Sequence, residues 1–415
     1  MEDIMTINSI TLTLNSDSDL IAKEVPSQRI LEIAVKAPKT LNTHERPSLN
    51  LAIVLDRSGS MSGDKIQYVK EATSHVLDLL QEQDQVSIVA FDDQIDTIAQ
   101  QEHINQTTRT RLKSIVNALQ AGSQTDLGGG WLQGCQLAAN GMQEERLSRA
   151  LLLTDGQANV GITDVEELGH HSRELHTRGV STSTFGVGDG YDEVLLEQMA
   201  NQGGGNFYFI ESPMLIPEIF MKELKYLSTV TLRDVEISLN IPPKVDVQVQ
   251  GGWKLTQTDD KVRISIGGLV SEQQREVYVK LLFPPKDQAE SINFQVKVVA
   301  KNEDGQVMEA DFEKAFLYAG KAEVEASPLR EDVKQRYSVV EVAETAKEAL
   351  ILERRGEGEK ASKLLNHVLR DNMPNMPAPI VAEYQGMAKR MEHGMDELDR
   401  KQSHYTQYQD KQRRR

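Results

Sequence analysis

The sequence predicts an α/β fold in which a doubly wound, mostly parallel sheet is inserted into a β-sandwich and followed by a C-terminal helical region. Three observations carry that expectation. Between about residues 50 and 226, short apolar runs alternate with stretches of helical periodicity, as strands covered on both faces by crossover helices require. From 229 to 318 the pattern becomes alternating, punctuated by Pro242-Pro243, Gly251-Gly252, Gly267-Gly268, Pro284-Pro285 and Asp304-Gly305, which is the signature of a sandwich. Beyond Gly320 the period is helical again.

In chain order, the alternation between residues 7 and 35 gives two strands. Two strands are marginal by themselves, so they are expected to pair with the later β segment, leaving the α/β domain as an insertion. Within that domain the strands are expected at 52–55, 86–91, 150–153, 181–187 and 207–210, and the helices at 65–80, 108–119, 132–142, 165–177 and 192–200. Gly128-Gly129-Gly130 reads as a turn. Helical runs follow at 332–354 and 359–369, with a third beginning near Pro379. Residues 399–415 carry six basic and two acidic side chains and read as a frayed, solvated tail. The resulting division is 1–48 for the first sandwich strands, 49–227 for the α/β domain, 228–320 for the rest of the sandwich, 330–398 for helices and 399–415 for a flexible basic tail.

The chain has 415 residues and a net charge of -17, from 46 basic and 63 acidic side chains. Such a balance disfavours phosphate backbones and anionic lipid, so no nucleic-acid partner is expected. Cys135 is the one cysteine, which rules out an intrachain disulfide framework and a zinc cluster built from several cysteines. No apolar run approaches the ~18 to 20 residues that span a bilayer, and the first residues are acidic where a leader would be basic. A soluble, cytoplasmic protein is expected.

The segment Leu51-Ala-Ile-Val-Leu-Asp56-Arg-Ser58-Gly-Ser60-Met carries the most chemistry. A buried strand delivers Asp56, Ser58 and Ser60 at alternating positions into a loop, with Lys65 opening the next helix. Short oxygen-bearing side chains at the carboxyl end of a strand suit a hard divalent cation. By itself the pattern also suits a capped turn before a helix. Two further oxygen sources follow later strands: Ser123-Gln-Thr125-Asp126, and Thr154-Asp155-Gly156.

Taken together and in this order, these residues resemble the metal-ion-dependent adhesion site of the von Willebrand factor A domain. Asp56, Ser58 and Ser60 match its first loop, Thr125 its second and Asp155 its third, so no ligand is missing from the motif. The resemblance spans about residues 50 to 226 and extends to the strands around Ser183 and Phe207, which look like those of bacterial members. It implies that Asp56, Ser58, Ser60 and Thr125 ligate one Mg²⁺, or Mn²⁺ in its place, and that Asp155 reaches the ion either directly or, as is usual in the family, through water. An open position is left for an Asp or Glu carboxylate from a partner protein. The flanking β segments are similar to the arrangement in integrin hybrid domains and in bacterial relatives of the inter-alpha-trypsin inhibitor heavy chains.

Other candidates are weaker. Gly186-Val-Gly188-Asp-Gly190 lacks the third glycine of a dinucleotide fingerprint, Tyr191 standing in its place. His170 and His171 are adjacent and diverge on a helix. Cys135 reads as a small buried hydrophobe, and Trp131 as helix-to-sheet packing or a partner rim. Neither a Gly-x-Ser-x-Gly elbow nor a recognisable triad histidine accompanies Ser58 or Ser60, so no enzyme is expected. Two functions fit: a metal-dependent adaptor or scaffold, or a subunit that presents clients to a separate MoxR-type AAA+ ATPase or works within a chelatase. In the second case the motor must be another polypeptide, because this chain has no phosphate loop.

Overall fold

The structure is a computed structural model that describes residues 4–7, 10–39, 48–143, 146–286, 290–302 and 305–412. The chain forms two compact units, one of residues 1–40, 231–302 and 306–415, the other of residues 41–230 with 303–305. The α/β unit is therefore an insertion, as the N-terminal alternation requires. Helices expected as a separate region over 330–398 lie in the same unit as the sandwich.

The first unit opens with β1 (Ile4–Ile7), β2 (Ile10–Ser16), β3 (Leu20–Ala22) and β4 (Ser27–Lys36). The inserted unit follows as β5 (Ser48–Asp56), α1 (Asp64–Leu79), β6 (Gln85–Phe91), β7 (Ile95–His103), α2 (Gln106–Asn117), α3 (Leu127–Asn140), β8 (Arg146–Thr154), α4 (Val165–Thr177), β9 (Val180–Val187), α5 (Glu193–Gln202), β10 (Gly204–Ile210) and α6 (Ile216–Ser228). The first unit resumes with β11 (Val230–Asn240), β12 (Asp246–Gln250), β13 (Lys254–Gln257), β14 (Lys261–Val270), β15 (Gln274–Phe283), β16 (Ser291–Lys301) and β17 (Val307–Ala319). It ends with α7 (Lys321–Ala326), α8 (Glu331–Arg354), α9 (Gly358–Asn372), α10 (Ala378–His393) and α11 (Glu397–Lys411).

Two sheets make the sandwich, in the orders β1-β2-β4-β15-β12 and β13-β14-β11-β16-β17-β3. The early and late segments are joined by β4 and β15, antiparallel from Ser27 opposite Phe283 to Lys36 opposite Gln274. Between the sheets lies one apolar core that takes Leu12, Ile33 and Val35 from the first segment and Ile237, Val279, Phe294 and Phe316 from the later one. Burial on this scale is the main force holding the distant segments together.

In the inserted unit the sheet order is β10-β9-β8-β5-β6-β7, with β10, β9, β8, β5 and β6 parallel and β7 antiparallel at the edge. The central strands are buried on both faces, Leu51 to Leu55 and Ala150 to Leu153 all being 0% exposed. Neither β7 nor α6 is among the elements expected from sequence. β7 is an edge strand with much of its length exposed, so it lacks the apolar run by which its neighbours are recognised.

Two sequence expectations are corrected. Gly128, Gly129 and Gly130 form the first turn of α3 rather than a turn before it, with Asp126 Oδ1 accepting the Gly129 N–H at 2.9 Å as the cap. A Cβ at Gly130 would stand 2.4 Å from Phe91 Cγ, and one at Gly134 2.3 Å from a Val54 methyl, so these glycines let the helix lie close on the sheet. The basic tail expected to fray is helical as α11 through Lys411, with Tyr408 and Asp410 buried. Tyr384 donates to Asp410 at 2.9 Å, and Arg400 makes a two-pronged contact with Glu353 at 2.7 and 2.9 Å. Bidentate and buried partners of this kind offset the cost of ordering a polar helix. Residues 413–415 lie outside the described residues.

Candidate metal centre

From β5 the chain moves outward through β6 and β7, then returns to the other side of β5 as β8. The strand order reverses there, so the carboxyl ends of β5 and β8 flank the crevice where open α/β sheets bind ligands. Asp56 is the last residue of β5, and Thr154 the last of β8.

After Asp56 the chain makes a short 3-10 turn, Gly59–Met61, pinned by the fully buried Met61. The loop before α3 is tied to it by backbone bonds from Gly122 N–H to Arg57 O at 2.6 Å and from Gly59 N–H to Ser123 O at 2.8 Å. Thr125 is fixed in turn by Asn159, whose Oδ1 accepts the Thr125 N–H at 2.9 Å, while the Asn159 N–H donates to Thr125 O at 3.2 Å.

All five residues expected from sequence meet here. Asp56 Oδ1 accepts the Ser58 N–H at 2.7 Å, and Oδ2 accepts the Thr154 hydroxyl at 2.5 Å. The Ser58 and Ser60 hydroxyls are 3.2 Å apart, and Ser60 donates to Asp155 Oδ1 at 2.7 Å. Gly156 reveals how closely the remaining oxygens converge. A Cβ there would lie 3.5 Å from Thr125 Oγ1, 3.6 Å from Ser60 Oγ and 4.0 Å from Asp56 Oδ2. Asp56, Ser58, Thr125 and Asp155 are buried and Ser60 is exposed, so the crevice opens to solvent at the Ser60 loop.

Burial pushes the Asp56 carboxyl up to about 6, against the hydrogen bonds from Thr154 and Ser58, and neighbouring Asp155 adds to the rise. A carboxylate sunk among uncharged donors favours a cation beside it. The donor set is all oxygen and mixes two carboxylates with three hydroxyls, which fits Mg²⁺ or Mn²⁺ better than a soft metal. No group of three His, Cys, Asp or Glu side chains suited to a metal occurs among the described residues, so a metal here would need oxygens beyond the two carboxylates.

The other candidates resolve into packing. Trp131 is fully buried and donates to Thr182 at 3.1 Å. Cys135 lies in α3, and burial pushes its thiol up to about 12, which leaves it unreactive. Gly186 lies within β9 and residues 188–190 form the turn after it, where a Cβ at Gly190 would come 2.6 Å from the Asp155 carbonyl. This turn thus walls the third loop, a role the sequence did not reveal. Thr154, Asn159 and Lys65 also have roles that spacing alone could not assign. Lys65 forms an ion pair with Asp155.

Residues 50–222 match the family described as the von Willebrand factor type A domain. The inserted unit is a von Willebrand factor type A domain. An uncharacterized protein of Synechocystis is 29% identical over 65% of this chain and 65% of its own length. The YfbK protein of Escherichia coli is 27% identical over 52% of this chain and 37% of its own length. The human inter-alpha-trypsin inhibitor heavy chain H4 is 32% identical over 41% of this chain but 18% of its own length. The matches thus span less than two thirds of these curated relatives. Over nearly the whole chain the fold is similar to a von Willebrand factor type A protein from Catenulispora acidiphila (TM-score 0.73, 16% identity, 99% of both chains). It is also similar to the ArnB paralog VWA2 from Sulfolobus acidocaldarius (TM-score 0.66, 16% identity, 96% and 98% of the two chains). No helix among the described residues is long and apolar enough to cross a membrane.

Proposed function

We propose that the A domain is a metal-dependent protein-binding module, and that the chain acts as an adaptor or scaffold rather than an enzyme. Asp56, Ser58, Ser60 and Thr125 would hold one Mg²⁺ or Mn²⁺, with Asp155 acting on it through Ser60 or water. The observation that carries this reading is the convergence of Thr125, Ser60 and Asp56 oxygens on the space beside Gly156. A divalent ion there would supply a directional, hard Lewis-acid contact for an oxygen anion. The open side at Ser60 gives a partner's Asp or Glu carboxylate access to it. Among the described residues no histidine is hydrogen-bonded to the oxygens of the centre, and both aspartates are already engaged, Asp56 by Ser58 and Thr154 and Asp155 by Ser60 and Lys65, so the chemistry favours binding over turnover. The charge of -17 repels acidic proteins at long range, so a partner that is neutral or basic overall and presents one exposed carboxylate fits best.

Calorimetric titration of Mg²⁺ or Mn²⁺ into chelator-treated protein should reveal one site in the wild type and none in Asp56→Ala, with Thr125→Ala weakened at least tenfold. Circular dichroism should show both variants folded. Equal titration of wild type and Asp56→Ala would remove the proposal.

A further inference from the structure

The two aspartates of the centre are not equivalent. Among the described residues the donors to Asp56 are uncharged, the Ser58 N–H and hydroxyl and the Thr154 hydroxyl. Asp155 is different. Its side chain is 0% exposed, Oδ1 accepts from Ser60, and Oδ2 is paired with the Lys65 ammonium. Lys65 is the second residue of α1 and keeps its side chain 29% exposed, so a buried carboxylate is neutralised by a cation that reaches in from the surface. With Asp56 and Asp155 at -1 each and Lys65 at +1, the group carries a formal charge of -1 rather than -2.

We infer that Lys65 is a positioning residue of the metal centre. Its ammonium holds Asp155 out of direct contact with the ion and cancels half of the site's negative charge. The chain alone then binds a divalent cation weakly, and a partner's carboxylate completes both the coordination and the charge. Metal affinity and partner affinity become coupled, because each ligand supplies what the other lacks. The physical basis is the repulsion between an ammonium and a divalent cation sharing one partly buried crevice, which falls off only slowly where water is scarce. This inference rests on the metal-dependent reading of the same site.

Lys65→Met keeps most of the side-chain stem and removes the charge, and Lys65→Arg keeps the charge. Full-length, chelator-treated protein would be titrated with Mn²⁺ alone while free Mn²⁺ is followed by electron paramagnetic resonance. Thermal midpoints would be measured with and without the ion. Lys65→Met should bind Mn²⁺ at least tenfold more tightly than wild type and gain more thermal stability from it, whereas Lys65→Arg should resemble wild type. Lys65→Gln should show the same tightening and replaces the methionine variant if that one does not fold. A tether with no electrostatic role would lower the midpoint equally with and without Mn²⁺ and leave affinity unchanged, and that result would overturn the inference. Metal binding by Lys65→Met but not by wild type would support the lysine's role while defeating the metal-dependent reading of the natural protein. Binding by neither would defeat both.

Discussion

Glu223 of α6 is wholly buried beside β8 and β9, with Arg149 Nη1 at 2.9 Å and donors from Ser183, Asn206 and Tyr208 at 2.6, 2.9 and 2.7 Å. Burial by itself would raise its pKa, but Arg149 and these three donors together hold the carboxyl below its ordinary range. A folded-state pKa below the unfolded one means that the stability it contributes is complete above the unfolded value of ~4.3 and is lost as pH falls toward the folded value. Glu223→Gln should therefore destabilise the A domain by about 3–5 kcal/mol at pH 7, because Arg149 is left as a buried charge without its counterion. The deficit should shrink as the wild type is acidified below that pH. Urea unfolding of both proteins at pH 7 and at successively lower pH would measure it, and a deficit that stays constant would contradict the assignment.

Helices α3 and α11 show how an element's neighbours decide its form. In isolation, three successive glycines disfavour a helix by roughly 1 kcal/mol each relative to alanine. Here the Asp126 cap and the close approach to Phe91 and Val54 outweigh that cost. α11 is rich in charged and amide side chains, so its sequence reads as solvated. Its order comes from Glu353 on α8 and Tyr384 on α10, which take Arg400 and Asp410 respectively. Amide hydrogen exchange should find protected N–H groups between residues 401 and 410, slowed at least a hundredfold relative to an unstructured chain. Exchange at the unstructured rate would return this segment to the status of a tail.

On the scale of the whole molecule, β4 lies between β2 and β15 in the middle of its sheet, although residues 37–273 separate it from β15 in the chain. A chain beginning at residue 48 should thus keep a cooperatively folded A domain and lose the sandwich, whose core forfeits Leu12, Leu31, Ile33 and Val35. Limited proteolysis should cut such a protein rapidly between residues 231 and 319 while sparing 48–228. Equal protection of both regions would show that the first strands are dispensable to the sandwich. The acidic balance acts at this scale too, setting which partners approach without determining the fold.

The α/β alternation, the second β pattern and the inserted arrangement were legible in the sequence by itself, as were Asp56, Ser58 and Ser60 as oxygen-bearing side chains after a buried strand, whereas Thr125 and Asp155 joined them as candidates only through the resemblance to the adhesion-site motif. The patterns are written in periodicity, and the first three oxygens in spacing along one strand and its following loop. Leu51 to Leu55, for example, can be read as a buried strand without reference to any other segment. What only the tertiary structure decided depends on contacts between residues far apart in the chain. Lys65 meets Asp155 across 90 positions, Thr154 meets Asp56 across 98, and Asn159 holds Thr125 across 34. No local pattern encodes those meetings, because a lysine at the start of a helix has the same propensity whether it faces water or a buried aspartate. The helical glycines and the ordered α11 belong to the same class, since packing overrode a local preference in both. Chain order could name the oxygens of the centre, but the placement of their countercharge, and with it the site's electrostatic character, was fixed only by the folded arrangement of loops around the switch point of the sheet.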